Sequence, residues 1–126
     1  MSNVLGVRDR PGPTGSGNIA AGGGTFELQD YRVSFVDSKI TYWIGAPAAG
    51  RLDVFRFDPA FGPSGVPGGT RALQSFVIAA STFETPVSID SEVGGGGSIL
   101  RAIFTDTSGA AQNGITTRVG ERRAPH

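Results

Sequence analysis

Few residues of this chain have the types and spacing that catalysis requires. The 126 residues include one histidine, His126, and no cysteine. A Ser-His-Asp triad, a Cys-His pair or a zinc site would therefore depend on the last residue of the sequence. A frayed terminus does not hold a general base within hydrogen-bond reach of a substrate. The sequence predicts a protein that is not an enzyme and that carries no metal or other cofactor.

Three further patterns match chemical motifs only in part. Asp90 and Glu92 are two residues apart on one face of a predicted strand, where they could act as the acid and base of a glycosidase, but the strict alternation around them is typical of a solvated sheet face. Residues 106–109 supply oxygen ligands without the spacing of a calcium loop. Residues 12–17 open like a phosphate-binding loop, but the lysine and hydroxyl residue that complete that motif are absent. None of the three predicts a reactive site.

Aromatic residues are the strongest candidates for a binding surface. Trp43 is the only tryptophan, Tyr42 precedes it, and Phe61 lies in a loop rich in glycine and proline. Such side chains stack on sugar rings and act as hot spots at protein interfaces. Because Tyr42 and Trp43 are neighbours in a predicted strand, they point to opposite faces, and at least one of them belongs to the core. Acidic residues offset the basic ones nearby, so nucleic acid is not an expected partner.

Basic residues near the two ends are the other interface candidates. The formal net charge of the chain is zero. Arg8 and Arg10 lie near the start and Arg122 and Arg123 near the end, on a body with more acidic than basic residues. These four arginines are expected either to be solvated or to contact an acidic partner or phosphate.

Runs of β-branched and aromatic residues between Gly/Pro turns predict strands throughout, and no window shows a sustained helical period. The strands are predicted at 26–28, 31–35, 40–44, 51–57, 73–80, 87–93, 99–104 and 115–119. The first two alternate out of phase, which predicts a β-bulge at Gln29-Asp30. Strands 40–44 and 51–57 are predicted to form a hairpin, and Asn113-Gly114 a type I′ turn before the last strand. The apolar run 73–80 predicts a strand buried on both faces.

These strands predict one all-β domain, a single antiparallel β-sandwich of about seven strands, jelly-roll-like or immunoglobulin-like in size. The sandwich is assigned to residues 25–119. An extended Gly/Pro-rich arm over 1–24 precedes it, and a basic tail over 120–126 follows. The motif Gly-Gly-Thr-x-x-Leu-Gln occurs at 23–29 and again at 68–74, which suggests two related three-strand units facing each other. The strand order is not predictable from the sequence.

In overall layout, a compact β body with extended ends, the chain resembles the small all-β virion proteins of bacteriophages, such as capsid decoration or tail and spike subunits. The resemblance covers the layout and brings no family motif. It implies a structural subunit in a virion, docking through its arm, tail and the loop 59–69 onto copies of itself, as a trimer, or onto a larger capsid or tail.

The alternative is a carbohydrate-binding, lectin-like module that uses Trp43, Tyr42 or Phe61. No apolar run approaches the roughly 18 residues of a membrane span. The first residues lack the features of a secretory signal, so outside a virion a cytoplasmic location is expected.

Overall fold

The computed structural model describes residues 9–33, 38–57, 70–81, 83–89 and 99–123. These residues form nine strands: β1 (Asp9–Ile19), β2 (Thr25–Glu27), β3 (Tyr31–Arg32), β4 (Ser38–Gly45), β5 (Gly50–Phe57), β6 (Thr70–Ile78), β7 (Thr85–Ser88), β8 (Ile99–Asp106) and β9 (Gln112–Arg123). The strands lie in two antiparallel sheets, which confirms the predicted all-β sandwich. No helix in the described ranges is long and apolar enough to cross a membrane.

The strand order is that of a jelly roll. Sheet A has the order β1-β9-β4-β7, and sheet B has the order β2-β8-β5-β6, with β3 also paired to β8. If β2 and β3 are counted as one interrupted strand, the first strand pairs with the eighth, the second with the seventh, the third with the sixth and the fourth with the fifth. This is the pattern of a long antiparallel hairpin rolled into two sheets.

The two copies of the repeated motif do not each build a sheet. They lead into β2 and β6, which lie at opposite edges of sheet B, and each half of the chain supplies strands to both sheets. The suggested arrangement of two units face to face is therefore wrong.

The inward side chains of the two sheets form one apolar core. Ile40, Tyr42 and Ile44 from β4 face Leu52 and Val54 from β5, and all five are at most 1% exposed. The predicted hairpin of these two strands is wrong, because β4 lies in sheet A and β5 in sheet B. Their alternating apolar residues meet across the sandwich instead of side by side.

The predicted bulge between β2 and β3 is confirmed by their pairing with β8. Glu27 pairs with Ile103, and Tyr31 pairs with Leu100. The chain therefore advances four residues from β2 to β3 but only three residues along β8. The extra residue brings Leu28 and Tyr31, both 5% exposed, to the same inner face.

Asn113 and Gly114 do not form the predicted hairpin turn. Strand β9 has already begun at Gln112, and the connection from β8 runs through residues 107–111. Gly114 has a φ of 88° and is the extra residue of a bulge opposite β1. Its N–H donates to Asn18 Oδ1 at 2.8 Å. Gly114 therefore has the left-handed conformation expected for the turn, but it adopts it within a β-bulge of the β1–β9 pairing.

Residues 9–19 form a strand where the sequence predicts an extended arm. β1 pairs with β9 along its length, and Ile19 is buried in the core. Glycine makes this packing possible, because a Cβ on Gly17 would lie 2.2 Å from the Phe26 ring and one on Gly12 would lie 2.8 Å from the Tyr31 ring. β1 has few apolar side chains because the rings of Phe26 from β2 and Tyr31 from β3 fill the space beside it.

The predicted tail also begins inside the sheet, because β9 continues to Arg123. Within the expected tail, Glu121 is buried and accepts a hydrogen bond from the Tyr31 hydroxyl. Residues 1–8 and 124–126 lie outside the described ranges.

Strand β6 is an edge strand, and the prediction that it is buried on both faces is wrong. Among the described strands it pairs with β5 alone. Leu73 and Phe76 pack against the core, whereas Val77 is 90% exposed. The apolar run thus covers the core on one side and faces solvent on the other.

Four loops meet at one end of the sandwich, called here the loop end; they span residues 20–24, 46–49, 79–84 (without 82) and 107–111. Backbone hydrogen bonds join them. Gly22 N–H donates to Gly109 O at 3.0 Å, and Ser81 N–H donates to Ala46 O at 2.9 Å. The four connections therefore support one another.

Asp106 organises the loop end. Its carboxylate accepts hydrogen bonds from the Ser108 hydroxyl at 2.6 Å, from Gln112 Nε2 at 2.7 Å and from Gly109 N–H at 2.9 Å. These bonds, the one from Ser108 foremost, lower the pKa of Asp106 to about 2. The segment that partly matches a calcium loop thus uses its carboxylate to hold protein donors.

Candidate functional site

The outer face of sheet A carries a groove of about 600 Å³, named the sheet A groove. Outward residues of β4 and β9 face each other across the ladder in three pairs, Trp43 with Arg118, Thr41 with Gly120 and Lys39 with Arg122. The middle pair has small side chains, and the two flanking pairs have long ones. The groove therefore has a low floor between an aromatic wall and a basic wall.

At the aromatic wall, a cation is fixed over the tryptophan. The Arg118 guanidinium carbon lies 4.2 Å from the centroid of the Trp43 ring. Arg118 Nε donates to Glu84 Oε1 at 2.9 Å, which holds the guanidinium in place. An exposed cation–π pair of this kind contributes about 0.5–1 kcal/mol. The wall is therefore preorganised, and it combines an apolar ring with hydrogen-bond donors and an acceptor.

At the basic wall, the two ends of the sequence come together. Because β1 and β9 are antiparallel, Arg10 is opposite Glu121 and Asp9 is opposite Arg122. Lys39 is the residue opposite Arg122 on the β4 side. Arg10 and Arg122, which are interface candidates from opposite ends of the chain, therefore occupy neighbouring strands at one corner of sheet A.

The two adjacent aromatic candidates lie on opposite faces of sheet A. Tyr42 is fully buried, and burial raises the pKa of its hydroxyl above the ordinary range, so its ring is part of the core and cannot contact a ligand. Trp43 is half-buried and belongs to the outer face. This is the division expected for neighbours in a strand.

The remaining predicted site residues are less informative. Arg122 is exposed at the sheet A groove. Arg123 lies opposite Ser38 at the end of β9. Arg8, Phe61 and the loop 59–69 lie outside the described residues, as do Asp90, Glu92 and His126. Within the described ranges, no three His, Cys, Asp or Glu side chains are grouped to hold a metal ion.

Several groove residues were not among the predicted site residues. Lys39 and Thr41 share the outer face with Trp43, and the two-residue alternation of β4 was a sufficient signal for them. Arg118 and Glu84 reach the tryptophan only through the pairing of β4 with β9 and β7. Those strands lie about 40 to 75 residues further along the chain, so no local pattern marks the contact.

Comparison with known proteins gives the fold and no family. No protein-family model matches the sequence, and no curated protein matches it. The crystal structure of PirA is similar over 83% of this chain and 90% of that chain, at 13% identity and a TM-score of 0.50. The carbohydrate-binding module TmCBM61, solved in complex with beta-1,4-galactotriose, is similar over 85% of this chain and 69% of that chain, at 13% identity and a TM-score of 0.53.

A structure of infectious bursal disease virus, Gx strain, is also similar over 92% of this chain, at 20% identity and a TM-score of 0.44. The chain spans 33% of that viral chain, and a likeness this loose supports no conclusion. At 13% identity, the first two likenesses show a shared β-sandwich fold only.

Proposed function

We propose that this protein is a non-enzymatic structural subunit of a virion, of the phage capsid decoration or tail type. It assembles with copies of itself, or with a larger capsid or tail, through the open edge of β6. Jelly rolls recur in both capsid proteins and lectins, so the fold alone does not choose between these functions. The observation that carries the proposal is the contrast between β6 and the other sheet edges.

Most edges of the two sheets have features that discourage pairing with another chain. β1 contains Pro11 and Pro13 and two register shifts. β7 is four residues long and contains Pro86. β2 and β3 are three and two residues long. Prolines, irregular pairing and short length are the usual protections of an exposed edge.

β6 lacks most of these protections. It is nine residues long and contains no proline, and no charged residue occurs from Ala72 to Ala80. One register shift near its start is followed by regular pairing from Gln74 to Ile78. An exposed, apolar and regular edge is a template for strand addition by another chain.

An exposed phenylalanine follows this edge. Phe83 is 81% exposed, yet its backbone is fixed. The Ser81 hydroxyl donates to Phe83 O at 2.8 Å, and Phe83 N–H donates to Ser81 Oγ at 3.1 Å. A large, exposed apolar side chain is a common anchor of protein interfaces.

The partner for β6 that needs no other component is β6 of a second copy. Antiparallel pairing of the two edges across a two-fold axis would join the two B sheets into one and add main-chain hydrogen bonds along residues 75–78 of both strands. The proposed unit of assembly is therefore a dimer, and the trimer expected from the layout remains the alternative.

Light scattering coupled to size-exclusion chromatography tests this proposal. We expect a dimer mass for the wild-type chain and a monomer mass for Val77→Lys, because a charge on the edge opposes pairing. Ser16→Lys, which puts the same charge on the exposed part of edge strand β1, is the control and should remain dimeric. A wild-type monomer at all concentrations would contradict self-assembly, and a trimer unaffected by Val77→Lys would contradict the β6 interface.

A second candidate function is binding of carbohydrate by the sheet A groove. The specific observation in its favour is that Trp43 lies at the wall of an open groove with Arg118 and Glu84 fixed beside it. Beta-1,4-galactotriose is the first saccharide to test. Because Trp43 is the only tryptophan, a change of its fluorescence on titration would report binding. An unchanged spectrum with every saccharide of a panel would contradict this candidate.

A further inference from the structure

We infer that the sheet A groove selects saccharides that carry carboxylate or sulfate groups. This inference rests on the second candidate function, carbohydrate binding, and adds the chemical class of the ligand. It is carried by the pairing of Lys39 with Arg122 and by the distance from that pair to the fixed Trp43–Arg118 wall.

Lys39 and Arg122 are directly opposite each other on neighbouring strands, and both are exposed. The two residues therefore present cationic hydrogen-bond donors side by side on the outer face of sheet A. Across β1, Asp9 is the residue opposite Arg122. An anionic group placed between Lys39 and Arg122 would accept charge-assisted hydrogen bonds from both side chains.

The other end of the sheet A groove offers a different chemistry. The Trp43–Arg118 pair lies four residues along the strands from the Lys39–Arg122 pair, which corresponds to about 13 Å at the rise of a β-strand. Between them, Thr41 and Gly120 form a floor without bulky side chains. A flat, hydroxyl-rich ligand fits this arrangement, with a ring at the aromatic wall and an acidic group at the basic wall.

A peptide is a poorer match for the sheet A groove. β4 and β9 are interior strands, each paired on both sides, so their backbone groups are not free to bind an added strand. Recognition must therefore use side chains. Those available include hydroxyls, such as that of Thr41, which lies 3.0 Å from the Ser88 hydroxyl. Saccharide hydroxyls form hydrogen bonds with side chains of this kind.

Nucleic acid is a poorer match as well. Trp43 is the one aromatic side chain among the described residues that line the sheet A groove. Binding to single strands uses a series of free aromatic faces along a basic channel.

The test titrates the full-length protein with two forms of the same ligand while Trp43 fluorescence is recorded. Tetragalacturonate carries a carboxylate on every ring, and its fully methyl-esterified form keeps the rings without the charge. A heparin-derived tetrasaccharide tests sulfate. We expect the charged forms to bind at least about tenfold more tightly than the ester, as the loss of a charge-assisted hydrogen bond implies.

Variants locate the site. Lys39→Gln and Arg122→Gln should each weaken binding of the charged saccharide about tenfold and leave the ester unaffected. Arg51→Gln is the matched control, because Arg51 is 51% exposed on sheet B, and this variant should bind like wild type.

The outcomes separate the inference from the function on which it rests. Equal binding of charged and esterified ligands would overturn the acidic specificity and leave carbohydrate binding intact. No fluorescence response to any saccharide at millimolar concentration would overturn both. Equal binding of poly-glutamate or a single-stranded oligonucleotide would show a general anion site and overturn the saccharide class.

Discussion

Two buried tyrosines place their hydroxyl groups in different situations. Tyr31 donates to Glu121, and both residues are at most 5% exposed. The Tyr42 hydroxyl is fully buried and has no hydrogen-bond partner among the described residues. A buried acidic group depends on its donors, whereas an unpaired buried hydroxyl stabilises nothing.

We therefore expect Tyr31→Phe and Tyr42→Phe to differ in the free energy of unfolding. Loss of the Tyr31 hydroxyl removes a donor from buried Glu121 and should cost about 1–3 kcal/mol. Loss of the Tyr42 hydroxyl should cost less than about 0.5 kcal/mol, since no hydrogen bond to a described residue is removed. Urea unfolding followed by Trp43 fluorescence measures both. Equal losses would contradict this account of the polar core.

The lowered pKa of Asp106 predicts the acid response of the loop end. Because the folded-state value of about 2 lies below the ordinary 3.8, its contribution to stability is complete above about pH 4 and is lost as the pH falls towards 2. We expect the urea midpoint of the wild type to fall more steeply across this window than that of Asp106→Asn. Parallel pH profiles for the two proteins would exclude a role for Asp106 in acid unfolding.

At the scale of elements, local patterns were predictable and distant pairings were not. The bulge at Gln29-Asp30 follows from a change of phase within eight residues, and it is present in the structure. The predicted hairpin of β4 and β5 is wrong because β4 pairs with β7 and β9 whereas β5 pairs with β6 and β8. Both pairing schemes bury the same side chains. Alternation fixes which residues face inward but does not identify the neighbouring strand.

The sequence predicts an arm instead of strand β1, and the reason differs from that for the hairpin. Its glycines and prolines resemble a linker, yet the rings of Phe26 and Tyr31 occupy the space that side chains at Gly17 and Gly12 would take. The complementary apolar surface belongs to other strands, so the composition of the segment alone gave the wrong assignment. The sequence predicts the groove residues on β4 but not those on β9, because the pairing of these two strands is not visible in the sequence.

Gly17→Ala tests this packing. A methyl group there would overlap the Phe26 ring, and we expect a loss of about 1–3 kcal/mol in unfolding free energy from forced displacement. Ser16→Ala, at the exposed neighbouring position, should change stability by less than about 0.5 kcal/mol. A Gly17→Ala variant as stable as wild type would show that Phe26 does not pack against β1.

At the scale of the whole molecule, the first and last described strands, β1 and β9, pair with each other in sheet A. Removal of residues 1–19 would delete β1, expose one edge of β9 and withdraw Ile19 from the core. We expect this truncation to abolish cooperative unfolding. Circular dichroism during heating measures this. Cooperative unfolding of the truncated chain would mean that residues 9–19 are dispensable, as an arm would be.

Assembly through β6 also belongs to the whole molecule, because it depends on how the edges of the described strands differ in their protection against pairing. Amide hydrogen exchange on the full-length chain, at high and at low protein concentration, tests this claim most directly. We predict that alternate amides of residues 75–78 gain protection at high concentration while those of edge strand β1 do not change. Exchange in β6 that is independent of concentration would contradict the proposed interface.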